Sequence, residues 1–530
     1  MDLFSIQFLS LLAVLLSIYY AVGRFARRGQ WVVLLAGSLA FYAIVGDPRD
    51  MLVMGVVAVA TWASGIALAS LDDKMRAQRK ATRDRAQKKE VKARFTRRKR
   101  TVLIGCFALC LLILGYFKYW NVILFQAGLA SSPSSLKILL PLGISFYTFQ
   151  SLGYLIASYN GAFPPQRNFL RYLLFVTYFP QIIQGPINRY DELSEQLYAT
   201  RSFDIQVARR GLLRMGLGFL KVMAIANVLT GAVSSILDGA TPTTPGSVLA
   251  YGILLYSLQI YASFSGGIDI VEGVSELFGI QMAQNFRQPY FSTSLSEFWR
   301  RWHMSLGVWM RNYVFYPLAI TRPFKRLGKW GTTHLGRQVG RTLPACVANV
   351  IVFLLVGLWH GAEYHFLAWG LYYGVAIALS DLLAPCYERL ANALRVDRTT
   401  VAYTCFAVAR TFVLVQIGRF YDYINSVALA TRCIGNVFLD FSPSAFLPTL
   451  QSLDLPIPEW LGAPPVTLCA IAVVLVVDLL NERGVDVRGA LLARKLPIRV
   501  LVYLVVGVIV VVSFAYDQTT GGGRFAYANF

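Results

Sequence analysis

Charge is what this sequence has least of. Only 15% of its 530 residues are Asp, Glu, Lys or Arg, while 56% are hydrophobic. An average soluble domain carries roughly 25% charged residues. With a mean hydropathy of +0.52, the apolar surface exceeds what one globule can hide, so most of it is expected to face lipid. Acids are scarcer still, 28 against 50 Lys and Arg, a net charge of +22. Nucleic-acid binding and the basic cytoplasmic loops of membrane proteins both produce such an excess. The hydrophobicity decides for the second, and no nucleic-acid partner is expected. Seven cysteines, an odd number, form no CxxC pair, so neither a disulfide framework nor a zinc site is indicated. There is also no GxSxG elbow, no Walker A loop and no HExxH helix. No metal site is expected.

What is there is a succession of apolar spans, at about 3–22, 31–46, 49–71, 101–125, 136–158, 215–237, 248–264, 343–360, 363–384, 402–424, 465–480 and 499–516. Most approach the roughly 20 residues a membrane-crossing helix needs. The fold expected is an all-α polytopic membrane protein with about 11–12 transmembrane helices plus interfacial and re-entrant helices, in a single domain over 1–530. Basic residues follow the first span at Arg24, Arg27 and Arg28. A signal peptide has them in front, so this reads as a retained helix. Residues 74–100 hold 14 Lys and Arg against Asp84 and Glu90, which predicts a basic cytoplasmic loop over 72–100. Alternation then places 188–214, 287–341 and 481–499 inside, and 126–135, 238–247 and both termini outside.

Polar residues within this apolar chain are the site candidates, because an ionisable group at membrane depth is expensive. From Thr342 to Ser380 the only formal charge is Glu363, yet His360 and His365 lie there, two of only four histidines. His360 stands where one span ends, beside Gly361, which is expected to leave room for a substrate. An imidazole takes a proton from a hydroxyl near neutral pH. The alternative is a polar residue at a helix turn, and for His365 that is the preferred reading. A second segment runs Ser294-Leu295-Ser296-Glu297-Phe298-Trp299-Arg300-Arg301-Trp302-His303. Ser294 and Glu297 have capping-box spacing, and the periodicity predicts one amphipathic interfacial helix with His303 at the edge of its apolar face. His334 reads as a solvated loop residue. At Gly266-Gly267-Ile268-Asp269, a helix break lining a cavity and plain helix packing are equally open.

Further motifs run along the chain at Gly115–Tyr119, Pro141–Gln150, Phe179-Pro180-Gln181 with Gly185-Pro186-Ile187, Gln284-Asn285-Phe286 with Pro289-Tyr290, Glu297–His303, Leu358–Gly361 and the aromatic tail Phe525–Phe530. Taken in order, these motifs resemble the membrane-bound O-acyltransferase family, in the bacterial branch of the alginate O-acetyltransferase membrane subunit and the D-alanyl teichoic acid transfer protein. The sequence departs from the family pattern at Ile268 before Asp269 and at Ala526 and Asn529 in the tail. The resemblance implies transfer of an acyl group, acetyl first, from a cytoplasmic thioester to a hydroxyl of a cell-surface polysaccharide or partner protein. It implies a central tunnel, catalytic roles for His360 and His303, and substrate contacts at Trp302, Trp359, Asn285 and Asp269. No bound cofactor is implied, and cofactor-binding residues stay unassigned. The implied co-substrate is acetyl-CoA or an acyl carrier protein. The implied partners are the lipid bilayer, an extracellular esterase-like relay protein and a glycan acceptor, at a bacterial cytoplasmic membrane. D-alanyl transfer to teichoic acid and, from another class, a non-enzymatic glycan transporter remain as alternatives.

Overall fold

Every regular element among the described residues of the computed structural model is a helix. Those residues are 6–129, 139–453 and 465–520. The aromatic tail 525–530, Asp2 and most of the 126–135 loop lie outside them. The chain divides into two compact units, one of residues 1–212 and 271–283, the other of residues 213–270 and 284–530.

Nine helices among the described residues are long and apolar enough to span a membrane, and ten if Tyr364–Leu382 and Ala384–Ala393, bent by 54°, form one span. The protein is thus a multi-span membrane protein. One expected span, at 31–46, is the apolar but short helix Gln30–Val45, and Val427–Leu439 is a second short apolar helix, at a place where no span is expected. The expected span at 136–158 is Ile144–Asn160, which has 17 residues and is buried along most of its length. Its hydrophobicity is spent on protein contacts rather than lipid. Of the cysteines, Cys106, Cys110, Cys346 and Cys433 are buried, whereas Cys386, Cys405 and Cys469 are exposed.

In the first unit the basic stretch is helical, not a loop. Pro48–Ala81 and Arg85–Gln126 run far past the length a bilayer requires. Ala, Arg, Lys and Gln are all strong helix formers. The turn is confined to Thr82–Asp84, where the Asp84 carboxylate accepts from the Ala86 and Gln87 amides and caps the second helix. Lys99 pairs with Asp72 at 2.7 Å and donates to the Tyr159 carbonyl at 3.1 Å, and Arg94 donates to Gln78 at 2.6 Å. These contacts hold the two helices together as a hairpin.

Gly246–Leu277, of which residues 246–270 belong to the second unit, is one continuous helix, so the break considered at Gly266-Gly267 does not occur. A Cβ on Gly266 would come within 2.8 Å of the Lys221 Cβ and 2.9 Å of the Gly218 carbonyl oxygen. The glycine is there for close helix packing. Directly beyond this crossing, Lys221 gives way to a π-helical turn, Val222–Asn227.

Candidate active site

All six residues expected at the site lie in the second unit. The predicted cap is present: the Ser294 Oγ accepts from the Glu297 amide at 3.2 Å. Glu297 does not complete the box. Its carboxylate accepts instead from the amide and hydroxyl of Thr293, at 2.8 and 2.7 Å, and pairs with Arg301 at 2.6 Å. Burial alone would raise its pKa, but the Thr293 donors and the Arg301 guanidinium outweigh that and hold the carboxyl below its usual range. Arg301 also pairs with Glu482 at 2.7 Å, so it is committed to carboxylates, whereas Arg300 is exposed.

The single interfacial helix expected from periodicity is two short ones, Leu295–Arg301 and Met304–Met310. Trp302 between them is extended, and His303 is left-handed, with φ 47° and ψ 52°. The reason is a neighbouring strand of chain. The Met304 amide donates to the Asn285 carbonyl at 2.9 Å and the Arg287 amide to the Arg301 carbonyl at 3.0 Å. These bonds replace the helical ones that periodicity implies, because backbone groups must be satisfied somewhere.

The turn drives the His303 side chain inward rather than to the edge of a surface helix. The residue is 3% exposed, and desolvation lowers its pKa from 6.5 to about 3. The imidazole is therefore neutral. Phe264 meets it edge-on at 4.9 Å and Trp359 lies 6.0 Å away, centroid to centroid. Trp359 is in turn 4.8 Å from the His360 ring. The two histidine motifs thus border one buried indole, which the sequence alone did not establish.

His360 is the last residue of Arg337–His360. It is half-buried, against Trp369 at 5.1 Å and Phe366 at 5.9 Å. The space over Gly361 is not open: a Cβ there would strike the Glu363 carboxylate and the Phe366 ring. His365 donates from Nδ1 to the Tyr421 carbonyl at 2.8 Å, tying Tyr364–Leu382 to Val401–Tyr423. His334 ends a helix and stacks on Trp330.

The other candidates divide. Asn285 is fully buried and reaches His303 directly, its Oδ1 lying 3.2 Å from Nδ1. Trp302 is enclosed: Phe298 stacks on it at 5.6 Å, Phe286 meets it edge-on at 5.1 Å, and the Arg419 guanidinium lies 4.5 Å over its ring. Asp269 is held by Lys221 at 2.8 Å and Arg214 at 3.1 Å. Replacing Asp269 with Asn removes the charge that offsets two cations. That is expected to cost roughly 1–3 kcal/mol, read as a lower melting temperature in detergent. Unchanged melting would mean the pairs add nothing.

Sequence reasoning passed over Arg419, which is 2% exposed and paired with Asp422 at 2.8 Å, and Asp478, whose carboxylate accepts from Tyr261 at 2.7 Å. The signal was available, since both are charged residues inside apolar spans, as is Lys221. Among the described residues, no group of three His, Cys, Asp or Glu side chains is placed to hold a metal ion.

The family model of MBOAT, the membrane-bound O-acyltransferase family, matches residues 164–415, which include both histidines. The chain is 34% identical over 336 residues to a probable alginate O-acetylase AlgI of Pseudomonas putida, covering 62% of each chain. It is 33% identical over 436 residues to the probable alginate O-acetylase AlgI of Pseudomonas aeruginosa, covering 81% of this chain and 72% of that one. It is also similar to the teichoic acid D-alanyltransferase of Bacillus subtilis, 30% identical over 249 residues, 47% of this chain and 58% of that one. This chain belongs to the membrane-bound O-acyltransferase family. Its match spans about three fifths of the length of the Pseudomonas putida relative.

Proposed function

We propose that the protein is an O-acyltransferase of a bacterial cytoplasmic membrane, moving an acyl group, acetyl first, from a cytoplasmic thioester to a hydroxyl of a cell-surface polysaccharide or partner protein. The observation that supports this most is the meeting of both histidine motifs at Trp359 inside a largely apolar wall. A thioester is already activated. The protein has only to hold it beside a hydroxyl, keep bulk water away and supply a base.

In this reading His360 takes the hydroxyl proton as the oxygen attacks the thioester carbonyl. The tetrahedral adduct then collapses, the C–S bond breaks, and the thiolate leaves with the proton His360 holds. A passage through the protein keeps donor and acceptor in their own compartments. The names of the Pseudomonas relatives favour acetyl, and an extracellular esterase-like relay to the glycan fits the same scheme.

Purified protein in detergent, offered acetyl-CoA, an acetylated carrier protein and a D-alanylated carrier protein in separate reactions with short glycans, tests this by release of free thiol. Release from an acetyl donor is expected. Release from the D-alanyl carrier alone would move the reading to D-alanyl transfer, and no release from any donor would leave a transporter.

The orientation has its own check. With the basic hairpin in the cytoplasm, a cysteine at Ala93, an exposed position, is expected to be shielded from an impermeant thiol reagent in intact cells and labelled after permeabilisation. Labelling in intact cells would invert the topology.

A further inference from the structure

The protonation of His303 can be read from its partner. The Asn285 Oδ1 lies 3.1 Å from the Ser305 backbone nitrogen, 2.8 Å from the Ser305 Oγ and 3.2 Å from the His303 Nδ1. At ordinary precision an amide side chain can be turned either way, and its partners must decide. Here one partner is unambiguous. A backbone N–H only donates, so the Asn285 atom facing Ser305 is the carbonyl oxygen. That oxygen has no proton to give, so the His303 Nδ1 must carry the hydrogen of the pair.

In a neutral imidazole the other nitrogen is then an unprotonated acceptor. That nitrogen, Nε2, is buried and has no hydrogen-bond partner among the described residues. A buried polar atom left unmatched is costly, and at a site its partner is a ligand. The left-handed backbone of His303 adds to the case, since such conformations gather at functional positions.

We infer that Asn285 is a positioning residue that holds His303 as the Nδ1–H tautomer, so that Nε2 offers a lone pair to an O–H or N–H group of a substrate. The Asn285 Oδ1 is thus taken up by Ser305 and His303 rather than by a substrate. His303 in this form cannot polarise the thioester carbonyl, because Nε2 has no proton to donate. It can only receive a hydrogen bond. Desolvation of the ring keeps it neutral, consistent with this arrangement. The tautomer stands apart from the acyl-transfer reading; only its kinetic consequence rests on it.

Four histidines in the whole chain make the test direct. Protein with 15N-labelled histidine rings gives few signals, and the His303 pair is the one lost in His303→Gln. In the wild type, Nδ1 is expected in the protonated range and Nε2 in the unprotonated range. Asn285→Leu removes the acceptor. It is expected to mix the tautomers and to lower kcat for thioester turnover by at least about tenfold, the low end of what losing the partner that orients a metal-bound histidine costs. Asn285→Asp keeps an acceptor oxygen and is expected to restore the Nδ1–H signature and recover most of the kcat lost in Asn285→Leu.

A wild-type spectrum with Nε2 protonated overturns the inference outright, and needs no variant to fold. An Asn285→Leu protein with the wild-type signature and kcat overturns it as well. Asn285→Asp failing as badly as Asn285→Leu with its tautomer intact would reduce Asn285 to packing. If the wild type turns over no thioester while its spectrum shows Nδ1–H, the acyl-transfer reading falls and the tautomer assignment stands.

Discussion

His360→Gln is expected to bind donor about as well as the wild type and to lose acyl transfer by roughly 10²–10⁴-fold, the usual contribution of a general base. Glutamine approximates the size and hydrogen bonding of histidine but takes no proton near pH 7. The ring it replaces sits between Trp359 and Trp369, so the substitution leaves the wall standing and removes the basicity. The measurement is donor affinity alongside single-turnover transfer. A fall in kcat with affinity unchanged marks an interaction made in the transition state. Loss of donor affinity alone would recast His360 as a binding residue, and near-normal turnover would remove it from the mechanism. His365→Gln is the control. Its ring is a tie to the Tyr421 carbonyl, so activity should persist at some cost in stability.

Trp302→Ala is expected to act in the opposite way, on the fold before the chemistry. Emptying a buried Trp site costs about 3–5 kcal/mol. Here the indole also faces the Arg419 guanidinium, a contact worth about 0.5–2 kcal/mol. Arg419 is buried with Asp422 as its ion-pair partner, and it would lose the ring that covers it. The expected result is a large drop in melting temperature in detergent, with lost activity tracking lost folded protein. A variant that melts like the wild type but no longer takes donor would instead make Trp302 a substrate contact.

The class of fold was legible because composition and span length report on lipid directly. A chain with so few charges and so many apolar stretches has few other places to be. The number of spans was less legible. Hydropathy does not distinguish a helix facing lipid from one such as Ile144–Asn160, which is wrapped in protein.

The two histidines were legible as polar residues out of place, and the motifs around them carried the family. The approach of His303 to Trp359 was not, since sequence distance between 303 and 359 says nothing of spatial distance. The break at Trp302–His303 was hidden too. Periodicity sees apolar positions, not the backbone of Asn285 and Arg287 that competes for the hydrogen bonds. Arg419 and Asp478 were missed for a simpler reason. Each is a charged side chain within a largely apolar span, and no recognisable motif surrounds it.

The left-handed turn at His303 also bears on how this position can drift. A histidine codon is one base change from Asn, Asp, Tyr, Gln, Leu, Arg and Pro. At a positive φ, Asn and Asp are the least penalised of these, while proline is shut out by its ring. The single mutations that spare the backbone are therefore those that replace the ring nitrogen with an amide or a carboxyl. Selection for folding alone would let the site slide toward Asn, so a lineage that keeps histidine here is being held to it by something other than shape.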